Sequence, residues 1–410
     1  MPERTSAPLD AARGHDREER RPPGPSVNRA SDTEAVLRFE DVAKAYGSTL
    51  AVENTNLALH AGEILTLLGP SGCGKTTTLR MGIGLERATR GRIWFGGRPV
   101  DSPEERVFVP PEKRNMGMVF QSYAIWPHLT VFENVAYPLR ARRRPEGEIR
   151  AGVEKVLAQV GLASFAQRPG TKLSGGQQQR VAIARCLAFG PDTLLMDEPF
   201  SNLDARLRAQ MRSEIKVLQR RLGIAVLFVT HDQEEALALS DRIAMMRAGR
   251  IDQIGSPTEL YSFPKTAAVR DFIGRTILLP GRITARESAT SSLVELDEGA
   301  RCIVSGPDHT NAAPVPSRCV VAVRPEHVRV EKLPGMQLVA PGGAAENSIT
   351  GEILALLFLG NQFEAEVRLP SGAIAGVVLP TTTDWREGST VRLTFSEAQS
   401  YLWPEDDAAA

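Results

Sequence analysis

Lys75 closes the run Gly69-Pro70-Ser71-Gly72-Cys73-Gly74, and Thr76 and Thr77 follow it. Glycine, four residues, then Gly-Lys-Thr is the spacing of a phosphate-binding loop. Glycines let the backbone turn tightly and aim successive N–H groups at a phosphate chain. A helix beginning near Lys75 would bring its positive dipole end to the same anion. Lys75 adds a full charge near the β- and γ-phosphates, and the Thr76 hydroxyl can ligate Mg²⁺.

Further along the chain other groups suit the same chemistry. Asp197-Glu198 ends the apolar run Thr193-Leu194-Leu195-Met196. At a strand end, Asp197 faces water held by the metal, and Glu198 on the other side faces an attacking water as general base. His231 ends a second apolar run, Ala225 to Thr230. A single His is more often structural, but at the C-terminal edge of a parallel sheet it becomes a candidate γ-phosphate contact. Gln121 follows Met116-Gly117-Met118-Val119-Phe120, with an amide oxygen for a metal and an amide nitrogen for water. Tyr46, ahead of Gly47, is either a strand-end aromatic or a flat face on which an adenine base can stack.

Those groups need strands that end together and helices that begin beside them. Glu63–Leu68 reads as a buried strand feeding the phosphate loop. Val36–Phe39 and Leu57–Leu59 alternate as strands do. Thr130 to about Gln167 reads as mainly helical, with a Thr130/Glu133 capping box. Leu173-Ser174-Gly175-Gly176-Gln177 opens another helix, since Ser174 and Gln177 have capping-box spacing. Two glycines at that mouth expose amides for a second anion. Ser201-Asn202-Leu203-Asp204 turns the chain into a further helix running through Met211, Ile215, Leu218 and Leu222.

Composition sets the limits. A chain of 410 residues holds two or three domains. Lys+Arg and Asp+Glu each count 49, so charge gives no case for a nucleic-acid partner. Cys73, Cys186, Cys302 and Cys319 have neither metal-ligand spacing nor a dense disulfide pattern, which favours a reducing compartment. No apolar run reaches membrane-spanning length. Residues 1–34 are poor in large apolar side chains and contain Pro22-Pro23-Gly24-Pro25, the composition of a disordered extension.

Taken in order, Tyr46, Gly69 to Thr77, Gln121, Leu173 to Gln177, Asp197-Glu198, Ser201 to Asp204 and His231 resemble the ATP-binding cassette (ABC) ATPases. Leu173-Ser174-Gly175-Gly176-Gln177 distinguishes that family from kinases and GTPases. The resemblance implies an α/β P-loop NTPase over residues 35–275, with a RecA-like core and a helical subdomain at about 122–190. It implies ATP and Mg²⁺ as cofactors. Tyr46 stacks on adenine, Gly69, Pro70, Ser71, Gly72, Cys73, Gly74, Lys75, Thr76 and Thr77 hold phosphates, and Thr76, Gln121 and Asp197 (through water) serve Mg²⁺. Glu198 becomes the catalytic base, with His231 and Gln121 beside it. Ser174, Gly175, Gly176 and Gln177 act in trans on the nucleotide of a second copy, and Ser201, Asn202, Leu203 and Asp204 line the dimer interface. One phosphate loop and one signature per chain then require a homodimer.

Residues 276–410 are β-rich. Cys319–Val323, Glu364–Leu369 and Val391–Phe395 read as strands separated by turns such as Pro370-Ser371-Gly372, which suggests a small barrel. Val323-Arg324-Pro325-Glu326-His327-Val328 and Leu356-Leu357-Phe358-Leu359-Gly360 resemble the OB-like TOBE domain of bacterial importer ATPases. That resemblance implies an importer subunit on the cytoplasmic face of the membrane, partnered by integral permeases and, through them, by an extracytoplasmic solute-binding protein. Polyamine or ferric iron is the expected solute. Gln121 and Tyr123-Ala124-Ile125-Trp126-Pro127-His128 would form the groove for a permease helix. An exporter ATPase, which usually lacks such a barrel, and a soluble mechanical ABC ATPase are the alternatives.

Overall fold

The computed structural model describes residues 35–288, 291–310, 314–333 and 347–405. The expected disorder of residues 1–34 therefore falls outside the described residues, as do parts of the stretch between strands of the C-terminal region.

The phosphate loop grows out of the middle of a six-stranded sheet. Its strand order is Arg250–Gly255, Arg242–Arg247, Ile64–Leu68, Ala225–Thr230, Thr193–Asp197 and Met116–Val119. All neighbours run parallel except the first pair. Ile64–Leu68, Thr193–Asp197 and Ala225–Thr230 are buried along their whole length, as a parallel strand covered on both faces must be. Their carboxyl ends deliver the phosphate loop, Asp197-Glu198 and His231 to one edge, while Met116–Val119 delivers Gln121 there. Helices whose apolar stripes face the sheet cover it: Lys75–Ile83, Gly175–Leu187 and Ala205–Leu222.

A second sheet of five antiparallel strands lies beside this core, in the order Thr49–His60, Ala35–Tyr46, Arg90–Phe95, Arg98–Ser102, Val107–Phe108. Its inner side chains, Leu37, Phe39, Val52, Leu59 and Ile93, share one core with Leu65, Leu67 and Leu79 around the phosphate loop. The helices Val131–Ala141 and Glu146–Gln159 pack with the signature helix Gly175–Leu187 into a separate apolar cluster that meets the sheet at Leu194 and Met196. Both expected capping boxes form: Thr130 with Glu133, and Ser174 with Gln177.

The C-terminal region has two five-stranded antiparallel sheets. One runs Arg301–Val304, Ser292–Leu296, Ile277–Arg286, Ser317–Val323, Ser400–Pro404; the other runs Val328–Lys332, Thr390–Phe395, Asn347–Phe358, Gln362–Arg368, Ile374–Pro380. Alternate residues such as Ile283, Val294, Val321, Ile353, Val367 and Leu393 close a shared core between them. This is the small barrel-like domain that the strand pattern implied. A joint fixes it to the first domain. Buried Arg324 donates to the carbonyls of Arg270, Arg275 and Tyr261 and to the Thr276 hydroxyl, with its guanidinium over the Tyr261 ring. Ala267 packs beside it on Val320, Ala322 and Trp403.

Candidate ATP site

The phosphate loop is tight enough to demand glycine. Gly74 takes φ 104°, and a Cβ there would lie 2.6 Å from the Ala51 carbonyl oxygen. A Cβ on Gly69 would lie 2.1 Å from the Met246 carbonyl oxygen. Gly74 is the N-cap of the helix Lys75–Ile83, and no side chain caps that mouth. The far end of the helix is fastened by Arg114, a residue whose role sequence reading missed. Buried Arg114 donates to the Met81 and Gly82 carbonyls, and also to those of Val100 and Val109, closing orphan carbonyls of the last turn. Burial pulls its pKa down to about 10, against the opposing pull of Asp101.

Lys75 is buried, with Nζ donating to the Gly69 and Pro70 carbonyls at 2.7 and 2.8 Å. Its ammonium is thus curled back into the loop that precedes it. Thr76 Oγ1 donates to Asp197 Oδ1 at 2.9 Å, bringing two oxygen donors together across 121 residues of chain. Burial pushes the Asp197 carboxyl above its ordinary range, opposed by the Thr76 hydrogen bond and by Arg80. A hydroxyl, a carboxylate and an amide oxygen are hard donors of the kind Mg²⁺ prefers, so the residues present fit that ion.

Glu198 lies between two partners. His231 Nδ1 is 2.9 Å from Oε1, and Gln121 Nε2 is 3.5 Å from Oε2. The backbone at Glu198 is left-handed, φ 42°, costly for a residue with a Cβ. Its N–H donates to the Val229 carbonyl, and its own carbonyl accepts from Ser201 N–H and Oγ. That turn ends the strand at Asp197 rather than continuing it, and strand alternation alone did not foretell it. Asn202 Nδ2 donates to the Gln121 carbonyl at 2.8 Å, so the turn after Glu198 also fixes Gln121. Asp204 caps the helix Ala205–Leu222 by accepting from Leu207 N–H.

The structure brings Lys75, Thr76, Gln121, Asp197, Glu198 and His231 together in this way. Tyr46 stands on the antiparallel sheet, 48% exposed, its hydroxyl bonded to Glu86 and Lys44 Nζ 4.8 Å from its ring. The signature is held differently. Ser174 bonds run to Gln177 and Gln178 within its own helix, and among the described residues no hydrogen bond joins it to Lys75, Thr76 or Glu198. Gly175 and Gly176 press against Leu203 and Leu207, where an added Cβ would come within 3.2 and 3.0 Å. Arg180 on the same helix is paired with Glu214 at 2.6 Å.

The loop after Gln121 is more internal than its aromatic composition suggested. Tyr123 is buried; Trp126 is half-buried, its ring 4.4 Å from that of Tyr137. Asn134, fully buried on the helix Val131–Ala141, accepts from Trp126 N–H and donates to the Trp126, Leu129 and Thr130 carbonyls. Sequence reading missed Asn134. Its signal was a polar residue on the apolar stripe of Val131, Val135 and Leu139.

A phosphate cradle on a parallel sheet, with paired acids on the neighbouring strand and a capped signature helix, defines a nucleotide-hydrolysing cassette. Comparison with known proteins agrees: residues 52–201 match the ABC transporter family model, and residues 321–403 match the TOBE domain model. The chain is 42% identical over 368 residues to a spermidine/putrescine import ATP-binding protein of Rubrobacter xylanophilus, covering 90% of this chain and 91% of that one. It is 40% identical over 357 residues to an Fe(3+) ions import ATP-binding protein of Agrobacterium fabrum, covering 87% and 94%. Among solved structures, cbiO1 from Clostridium perfringens, part of the ABC transporter complex cbiONQ, superposes with a TM-score of 0.51 at 30% identity, over 55% of this chain and 90% of that one. The chain belongs to the ABC transporter family, as an ATPase of the import type with a C-terminal TOBE domain. Among the described residues no helix is long and apolar enough to cross a membrane.

Proposed function

We propose that two copies of this chain enclose ATP between the phosphate loop of one and the signature mouth of the other. Closure drives an importer, and hydrolysis reopens it. The observation that supports this most is the disposition of the two mouths: Glu198, Gln121 and His231 gather at the phosphate loop, while Ser174 is held apart on a helix mouth of its own. A phosphate loop leaves the γ-phosphate open on one side. A second copy closing over it expels water and strengthens every charge interaction inside.

Within that closed site Lys75 and the loop amides bind and orient the phosphates. Glu198 takes the proton of the attacking water, and His231 and Gln121 hold its carboxylate in place. Thr76, Gln121 and Asp197, the last through water, are the residues to hold Mg²⁺, which neutralises phosphate charge when bound. Tyr46 offers its ring to adenine. Ser201 to Asp204 run along the dimer interface. ATP acts as an adhesive because the closed state binds it better than the open one.

The chain would sit at the cytoplasmic face of the cell membrane as a peripheral subunit. A permease helix would dock beside Trp126 and Tyr137, and a binding protein would deliver solute from outside. Relatives named for polyamine and for ferric iron import support one of those two solutes.

Glu198→Gln tests the cycle. Hydrolysis is expected to fall by roughly 10²-fold or more, with ATP trapping a dimer visible by light scattering. Only monomers in that variant with ATP would reject the sandwich. In vesicles containing the permease and binding protein, spermidine or Fe³⁺ should stimulate ATP turnover; stimulation by neither would reject the solute assignment.

A further inference from the structure

We propose that Arg185 is a positioning residue, a clasp that makes the signature helix and the loop carrying Gln121 move as one body. The proposal deepens the reading above and rests on its assignments of Ser174 and Gln121. Arg185 lies in the last turn of the signature helix, about three turns from the Ser174 mouth. Its Nη1 donates to the Ala124 carbonyl at 2.6 Å and its Nη2 to the Tyr123 carbonyl at 2.7 Å. The guanidinium carbon lies 4.8 Å from the centre of the Trp126 ring. One side chain thus grips consecutive carbonyls and packs against the aromatic beside them.

The carbonyls it grips belong to an uncommon backbone. Tyr123 and Ala124 both have positive φ, 58° and 47°, and neither is glycine. Two left-handed L-residues in succession persist only where the surroundings hold them. The rigid, two-pronged guanidinium suits two adjacent acceptors; a lysine ammonium is a single flexible point charge and does not. Asn134 pins the far end of the loop at Trp126, and Asn202 pins its near end at the Gln121 carbonyl. Arg185 is the one of these three contacts that comes from the signature helix.

A continuous path results: Ser174, its helix, Arg185, the carbonyls of Tyr123 and Ala124, then Gln121 and Glu198. A nucleotide that engages the signature mouth from the partner copy displaces a body to which Gln121 and Trp126 are already tied. The catalytic glutamine and the permease groove therefore respond together rather than in turn.

Hydrogen exchange in the nucleotide-free protein tests the clasp. In Arg185→Met, amides from Ser122 to Trp126 should exchange about tenfold faster than wild type, with protection elsewhere in the sheet retained. Arg185→Lys, which keeps charge and length, should restore the melting temperature but only part of that protection, and it carries the test if the methionine variant does not fold. In ATP turnover, Arg185→Met should lower kcat about tenfold, yet add nothing to a Gln121→Ala background. Unchanged exchange at 122–126 would overturn the proposal, and so would losses that multiply independently with Gln121→Ala. A wild-type chain without ATP turnover would instead sink the catalytic reading, leaving the exchange result to judge the clasp.

Discussion

Two helices of this molecule begin at glycine-rich mouths, and they begin in opposite ways. The phosphate-loop helix starts from Gly74 in a left-handed conformation with no side-chain cap. The signature helix starts from Ser174, whose hydroxyl accepts from Gln177 N–H while Gln177 returns the bond to Ser174 N–H. An uncapped mouth leaves its amides for a ligand and is incomplete without one. A capped mouth is stable in solitude, so any anion it meets is an optional guest. In the sandwich proposed above, one chain thus carries a committed half-site and a conditional one, which is what a subunit needs if its engagement with a partner is to be reversible.

Breaking the committed half should cost most. Lys75→Ala is expected to lower phosphate release by about 10³-fold or more, since it removes a full charge from a water-poor site; turnover near wild type would reject its role. Breaking the conditional half should cost less and show a split. Ser174→Ala loses a helix cap worth about 1 kcal/mol and should lower turnover roughly tenfold, while a lone chain keeps its nucleotide affinity by equilibrium dialysis. If the melting temperature falls and turnover does not, Ser174 is a cap and nothing more.

Asp197→Asn sharpens the contrast from the side of stability. Burial holds the Asp197 carboxyl above its unfolded value. The stability it contributes is therefore full below the unfolded carboxylate range and is lost as pH rises through the folded value. Removing the ionisable group removes that loss, so Asp197→Asn should raise the melting temperature at pH values above the carboxylate range while lowering turnover. The gain should vanish in acid, as followed by thermal melts across pH. Trp126→Ala, outside both mouths, should have the smallest effect: about fivefold less permease-stimulated turnover, with basal turnover much less changed. Equal stimulation would show that the half-buried ring serves internal packing alone.

The mouths were legible in the sequence because their chemistry is local. Capping boxes, glycine spacing and buried apolar strands depend on residues a few positions apart, and Ser174/Gln177, Thr130/Glu133 and Thr193–Asp197 fell where the pattern placed them. Three of the C-terminal strands were readable from alternation: Cys319–Val323, Glu364–Leu369 and Val391–Phe395 were expected, and Ser317–Val323, Gln362–Arg368 and Thr390–Phe395 form. What escaped reading acts over distance. Arg114 serves a helix that ends 31 residues earlier in sequence, at Ile83. Arg185 reaches back 61 residues to Ala124. Nothing in a window around either arginine marks it as more than a surface charge. The left-handed turn at Glu198 escaped because strand alternation continues through the residue: its N–H still bonds the neighbouring strand at Val229, and it is φ 42° with the Ser201 bonds to its carbonyl that turn the chain out of the strand.

The joint at Arg324 bears on how the protein can be divided. Cutting after Gly274 would strip the cover from Tyr261 and Ala267 and leave the carbonyls of Tyr261 and Arg270 without the guanidinium that now satisfies them. Such a fragment would keep every residue proposed to face the nucleotide and still present a raw, sticky flank. Poor solubility of a shortened cassette would then report an uncovered seam, not a failed fold.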